Sequence, residues 1–445
     1  MNKDSSAHPV PNRRLIRMAV LALLVSMVLG SAAMVAANDP RYLKLKVLAR
    51  AITLVRDHYV EDITYSDLVE AAIAGMLEKL DPHSAYFNPD RFKEFRTAIS
   101  GNFGGLGLEV GTRDEQVTVI APIEDTPAFK AGIKTGDVIL KIDGVMTREM
   151  PLAEAVNRMR GEPGTACRLT IMREGWPEPR DFEIRRAIIQ ARSVRGDFVE
   201  AGYGRLRIAQ FQEETDKEFA RELRALEKKD LKGLVIDLRG NPGGTLNSAI
   251  NVADEFLESG LIVYTQGRTP GQDYKAYARP NNQKRTYPVV VLIDGGSASA
   301  SEVLAGALRD QGRAVVVGEP SFGKGSIQTI VEIEEDGSAL KLTTALYFTP
   351  GGHSIQGLGI IPDVLVTPRE SLPGDGLGSA GIFKESDLRG SIANPEQMVR
   401  ETPAPGSLSQ ADRNAIDVQL QRAIQVLKSY NVFNSPRTGE GKQGG

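Results

Sequence analysis

Cysteine is almost absent: Cys167 is the only one in 445 residues, so no intramolecular disulfide and no Cys-rich metal site can form. Histidine is scarce as well. The four stand at positions 8, 58, 83 and 353, without the spacings that metal ligands adopt. Neither sign of charge prevails, since 54 basic side chains meet 57 acidic ones, and that balance leaves no electrostatic footprint for nucleic acid. Beyond the N-terminal segment there is no apolar run long enough to span a bilayer.

What the chain does have begins with an export signal. Arg13, Arg14 and Arg17 precede an apolar run from Met18 to Ala37, and Val35-Ala36-Ala37 suits cleavage after Ala37. The run approaches the roughly 20 residues of a membrane span, so attachment through an uncleaved anchor is the alternative. Either outcome puts the rest of the chain in a periplasmic or other extracytoplasmic compartment.

At roughly 150 residues per domain, the length predicts about three domains. Between residues 38 and 100 apolar residues recur at helical spacing, as in Leu45, Leu48, Ile52 and Val55, then Leu68, Ala72, Ile73 and Met76. Pro82, in "LDPHSAYF", stops the second helix. Residues 101–186 change to short β-like runs, "VTVIAPI", "DVILKIDG" and "CRLTIMREG", with one helical pattern at Pro151 to Met159. Over residues 187–368 strands and helices alternate, which predicts an α/β domain. Residues 369–445 read as a Gly, Pro and Ser rich linker, an amphipathic helix near Ser409 to Tyr430 and a disordered end.

"GEPSFGKGS", Gly318 to Ser326, almost spells a phosphate-binding loop. Yet Gly325 stands where a P-loop needs a hydroxyl, and the residues that follow alternate like a β-hairpin turning at Asp336-Gly337. No helix follows to bind an anion. A lysine here can instead serve as a base, and that requires a nucleophile. "VLIDGGSASASEVLAGALRD" supplies three serines, Ser297, Ser299 and Ser301, between a strand and a helix whose first amides can stabilise an oxyanion. Ser299-x-x-Glu302 reads equally well as a helix capping box. A second strand-glycine-helix turn, "GLVIDLRGNPGGTL", offers the amides of Gly243 and Gly244. No histidine is placed as the base, whereas a neutral lysine is a recognised substitute. Its pKa of about 10.4 must then fall to roughly 7 to 8, a shift of some 3 to 5 kcal/mol. If residues 324 to 332 form a strand, Lys324, Ser326 and Gln328 share a face, so Gln328 can accept a bond from the lysine.

The combination of "GGSASASE", "VVGEPSFGKGSIQ" and "DLRGNPGG" resembles the C-terminal processing peptidases, or tail-specific proteases. "LDPHSAYF" is similar to that family's leader motif. The resemblance implies an α/β (α+β) multidomain chain: a mixed-sheet, crotonase-like serine peptidase core, an inserted β-rich PDZ domain and helical ends. It implies Ser299 as nucleophile, Lys324 as general base, Gln328 as its orienting residue, and an oxyanion hole from Ala300 with Gly243 or Gly244. Glu302 and Asp310 match supporting positions near the site. "GGLGLEV" is similar to a PDZ carboxylate loop, so Gly105, Leu106, Gly107 and Leu108 are expected to bind a peptide terminus. The implied partners are protein substrates with free, flexible C-termini, a second copy of the chain held partly by the C-terminal helix, and an adaptor protein, with no nucleic acid. No metal or organic cofactor is implied. The rival readings are a PDZ scaffold without hydrolytic activity, a nucleotide hydrolase and a crotonase-like acyl-CoA enzyme.

Overall fold

The computed structural model describes residues 40–113, 115–123, 125–148, 150–190, 192–281, 285–367, 384–395 and 417–434. The export segment, most of the predicted linker and the last residues of the chain lie outside the described residues. Among the described residues no helix is long and apolar enough to cross a membrane.

Helices α1 (Pro40–His58) and α2 (Tyr65–Glu78) follow the predicted helical spacing. Strand β1 (Ala85–Phe87) leads to α3 (Pro89–Ser100), whose start has a clear local cause. The Asn88 side chain accepts from Arg91 N–H, Pro89 sits in the first turn, and Gly101 ends the helix at φ 70°. Strand β2 (Asn102–Gly105) then enters the inserted domain.

That domain holds β3 (Leu108–Arg113), β4 (Gln116–Pro122), α4 (Pro127–Lys130), β5 (Val138–Ile142), β6 (Val145–Met146), α5 (Leu152–Met159), β7 (Ala166–Met172) and β8 (Arg180–Arg185). Its sheet runs β3-β4-β5-β7-β8, with β6 on β5, so β3 is an edge strand. Val117 and Val119, Leu169 and Ile171 alternate along their strands, and with Ile139, Ile142 and Ile184 they close the core against Ala155 and Met159 of α5. Cys167 is buried there, and burial pushes its thiol up to about 11. The chain leaves through β9 (Ala187–Gln190), antiparallel to β2, so the insert enters and exits on neighbouring strands.

The third region contains β10 (Val194–Glu200), β11 (Tyr203–Ile208), α6 (Thr215–Glu227), β12 (Gly233–Asp237), α7 (Leu246–Asp254), β13 (Leu261–Gly267), β14 (Tyr274–Tyr277), β15 (Val289–Ile293), α8 (Ala300–Asp310), β16 (Ala314–Gly318), β17 (Ser326–Ile333), β18 (Ser338–Phe348), β19 (Val364–Leu365) and α9 (Val418–Asn434). One sheet runs β10-β11-β12-β15-β16-β19, parallel from β11 onward. A second sheet gathers β1, β18, β13 and β14, with β17 also paired to β18.

Period-two alternation assigns the faces of the first sheet. Leu234, Ile236, Val289, Val291 and Ile293 face a core shared with α6, α7 and α8. Val235, Val290, Leu292 and Val317 face Leu420, Ala423, Ile424 and Leu427 of α9. Both faces are buried, which is why "GLVID" and "VVVLI" are unbroken apolar runs. The apolar stripe of α9 thus packs on the chain's own sheet. One reading of the sequence needs correction here: the stretch between 369 and 408 is not all linker, because Glu385 within it is fully buried.

Candidate active site

The strand β15 ends in Gly295-Gly296, and the three serines that follow differ physically. Ser297 and Ser301 are fully buried. Ser297 Oγ donates to Leu238 O at 2.9 Å, and Ser301 Oγ donates to Asn241 O at 3.0 Å, so both tie this turn to the Gly-rich turn after β12. Ser299 is half-buried and adopts φ 56°, ψ −116°, a conformation costly for a residue with a Cβ. It stands at the start of α8, in a strand-turn-helix placement of the kind in which a nucleophile can sit.

Glu302, one turn into α8, is fully buried and receives four hydrogen bonds. Its Oε2 accepts from Ser299 N–H at 2.7 Å and from Lys324 N–H at 2.9 Å. Oε1 accepts from Gly323 N–H at 2.7 Å and Ser321 Oγ at 2.5 Å. One carboxylate oxygen therefore joins the backbones of the serine turn and the lysine loop. Burial pushes Glu302 up to about 7, even against four bonds that favour its charged form.

The lysine loop, Phe322 to Gly325, is completely paired. Phe322 N–H donates to Ser297 O at 3.0 Å, and Phe322 O accepts from Glu385 N–H at 3.2 Å. Gly323 O accepts from Gly357 N–H at 2.8 Å, and Gly325 O from Tyr347 N–H at 2.9 Å. Gly325 N–H donates to Gln356 Oε1 at 3.0 Å, and the Tyr347 hydroxyl donates to Lys324 O. The glycines are needed for these close approaches: a Cβ at Gly325 would lie 2.4 Å from Gln356 N, and Gly323 sits at φ 98°. With its amides engaged and β17 following, this loop has nothing to offer a phosphate.

Lys324 itself is half-buried. Desolvation holds its amine below the ordinary lysine value, helped by the positive charge of Lys341 and opposed by Glu385, Glu302 and Asp81. Gln328 lies on β17 opposite Thr343, and its Nε2 donates to Ser326 Oγ at 3.0 Å and Thr343 Oγ1 at 3.3 Å. The "DPHS" turn supports the same strand pair. Asp81 accepts from His83 N–H, Ser84 N–H and Ser84 Oγ, and at 3.0 Å from Thr343 Oγ1.

At the other glycine turn, Gly243 approaches closely: a Cβ there would lie 2.7 Å from Ser299 Cβ and 3.0 Å from Ala300 N. Its N–H already donates to Asn241 Oδ1 at 2.9 Å. Among the described residues, the N–H groups of Gly244 and Ala300 meet no acceptor. Asp310 proves to be elsewhere. It ends α8, about 16 Å along the helix from Ser299, and accepts from Gly351 N–H at 2.9 Å. Its match to the family pattern therefore marks a helix terminus distant from the chemistry. Sequence reasoning missed Tyr347, whose buried hydroxyl holds Lys324 O. It also missed Glu385, which a Gly/Pro-rich neighbourhood disguised. Among the described residues no cluster of histidine, cysteine and carboxylates could hold a metal ion.

In the inserted domain the loop Gly105 to Leu108 joins β2 to edge strand β3. Leu106 O accepts from Ala128 N–H and Gly107 O from Ile123 N–H, both at 2.9 Å, and Leu106 is buried in the domain core. The N–H groups of Leu106 and Gly107 meet no acceptor among the described residues. Gly107 sits at φ 81°, where a Cβ would meet Thr126 at 2.2 Å.

Comparison with known proteins agrees with this architecture. Residues 202–366 match Peptidase family S41, residues 104–184 match the PDZ domain, and residues 29–91 match the activating protease CtpB N-terminal domain. The carboxy-terminal-processing protease of Bartonella bacilliformis is 44% identical over 378 residues, 84% of this chain and 86% of that protein. The carboxy-terminal processing protease CtpB of Bacillus subtilis is 38% identical over 74% of this chain and 69% of its own length. The solved photosystem II D1 C-terminal processing protease is 31% identical, covering 74% of this chain and 94% of that one, with a TM-score of 0.43. The chain thus belongs to the carboxy-terminal processing proteases, serine peptidases of family S41 that carry a PDZ domain.

Proposed function

We propose that this protease is an exported endopeptidase that captures the free C-terminal tail of a protein substrate on its PDZ domain and cleaves by Ser-Lys acyl-enzyme chemistry. The observation that carries the reading is Glu302 Oε2, a single oxygen to which both Ser299 N–H and Lys324 N–H donate. Ser299 Oγ attacks the scissile carbonyl carbon while the neutral amine of Lys324 takes the hydroxyl proton. The carbonyl electron pair moves onto oxygen, where the N–H groups of Ala300 and Gly244 receive the charge. Gly243 is the weaker candidate because its N–H is engaged by Asn241. Losing one such donor costs about 3 to 4 kcal/mol. Collapse expels the amine, which takes the proton back from Lys324, and leaves an ester on Ser299. Water then attacks that ester, with Lys324 again accepting a proton and returning it to Ser299.

Gln328 supports the base. Its Nε2 is engaged by Ser326 and Thr343, which leaves Oε1 to accept from the amine of Lys324. On the PDZ domain, the amides of Leu106 and Gly107 take the substrate carboxylate, and β3 pairs with the extended tail while α5 forms the other wall. The N-terminal segment directs export, either cleaved after Ala37 or kept as an anchor, and the chain acts outside the cytoplasm with itself and an adaptor as candidate partners.

The test is cleavage of a peptide-tagged substrate together with fluorophosphonate labelling. Ser299→Ala is expected to abolish both, and Lys324→Ala to lower cleavage by roughly three orders of magnitude or more. Unaltered cleavage by either variant contradicts the reading.

A further inference from the structure

Glu385 lies far from the catalytic motifs in sequence, within a segment whose composition reads as linker, yet its carboxylate is fully buried beside the lysine loop. His83 Nε2 lies 2.9 and 2.8 Å from its two oxygens. Gln356 Nε2 donates to Glu385 Oε1 at 3.0 Å, and Gln356 Oε1 accepts from Gly325 N–H at 3.0 Å. On the other side of the lysine, Glu385 N–H donates to Phe322 O at 3.2 Å. Glu385 therefore grips the loop before and after Lys324, once through its own amide and once through Gln356. Gln356 is itself fully buried and is fixed further by Asn394 Nδ2, which donates to Gln356 O at 2.6 Å.

We propose that Glu385, held between His83 and Gln356, is a positioning residue for Lys324 that fixes the loop aiming the amine and contributes negative charge beside it. The inference rests on the reading of Lys324 as general base. Geometry explains its use: a buried carboxylate with three side-chain contacts has no freedom to follow solvent, so the loop it anchors is kept in one conformation. The charges facing Lys324 are Lys341 from β18, Asp81 from the "DPHS" turn, Glu302 from α8 and Glu385 itself, with the Tyr347 phenol beside them and His83 beyond Glu385. Glu385, Glu302 and Asp81 favour the charged amine, and Lys341 opposes it.

Two substitutions separate the two parts of the role. Glu385→Gln keeps shape and acceptor but removes the charge, so Lys324 sheds its proton more readily. The acid limb of the kcat/KM profile then moves to lower pH. A side chain that only stabilised the fold would leave that limb in place. Glu385→Ala removes the grip as well, and kcat is expected to fall roughly 10- to 100-fold with KM for the tail peptide unchanged. If Glu385→Ala does not fold, the Glu385→Gln profile decides alone. An unmoved acid limb in Glu385→Gln, with Lys324→Ala inactive, overturns the role of Glu385. Full activity of Lys324→Ala instead overturns the assignment of the base, whatever Glu385 does.

Discussion

Two glycine-rich loops of this chain look alike in sequence and behave in opposite ways. In Phe322 to Gly325 the surrounding protein takes up every backbone N–H and C=O, leaving only the lysine side chain to act. In Gly105 to Leu108 the carbonyls of Leu106 and Gly107 are held, while the amides of those two residues face no acceptor among the described residues. Glycine serves the first loop by admitting neighbouring backbone and the second by permitting φ 81° at Gly107. A glycine-rich loop is an anion nest only when its amides are unclaimed. That distinction separates the PDZ loop from the near-miss phosphate loop, and it is invisible in composition.

The contrast is sharpest at Glu302, which closes the lysine loop. Glu302→Ala leaves four buried donors without an acceptor, so unfolding free energy measured in denaturant should drop by at least about 4 kcal/mol. Peptide binding by the PDZ domain should survive in whatever protein remains folded. Glu302 also gives the wild type a pH signature. Raised to about 7 from an ordinary value near 4.5, it binds a proton in the folded chain that the unfolded chain has released. Stability should therefore fall as pH rises from about 4.5 to 7, by about 3 kcal/mol at most. Thermal melts of Glu302→Gln across that window should lose this slope; an unchanged slope would assign it to another group.

Adding one methyl group to each loop separates closure from openness. Gly325→Ala drives a Cβ toward Gln356 N and is expected to cost about 1 to 3 kcal/mol of stability. Its kcat should fall roughly 10- to 100-fold with KM for a tail peptide unchanged. Gly107→Ala strains a left-handed residue against Thr126 and should act on recognition instead, raising KM about tenfold with kcat preserved. Steady-state kinetics on a tail peptide and on the same peptide amidated at its C-terminus distinguish the two patterns. Equal effects on kcat from both variants would break the comparison.

Much of this was readable before any coordinates. The α/β alternation, the two glycine turns and the β-hairpin after Lys324 all rest on local pattern, and local pattern survives folding. Resemblance alone chose Ser299 among three serines, and the structure supplies a physical reason, since Ser297 and Ser301 are locked into buried hydrogen bonds. What stayed hidden depends on contacts between distant segments. His83 and Glu385 are 302 positions apart, and a Gly/Pro-rich stretch gives no hint that one glutamate in it is buried. Tyr347 looked like any aromatic in an alternating strand. Asp310 misled because lying on the helix that Ser299 caps is no guide to which end of that helix a residue occupies. The α9 stripe told that a face is covered but not that the chain's own sheet covers it, because an amphipathic pattern does not report its partner.

The central claim is that Lys324 is held in a closed, desolvated loop with its amine below the ordinary lysine value. An NMR titration of the lysine side chains, with Lys324 assigned from the Lys324→Met variant, tests it most directly. The account predicts that the amine missing from that variant titrates below the usual value of about 10.4, as the half-buried Lys341 also does. A Lys324 that titrates with the exposed lysines would contradict it.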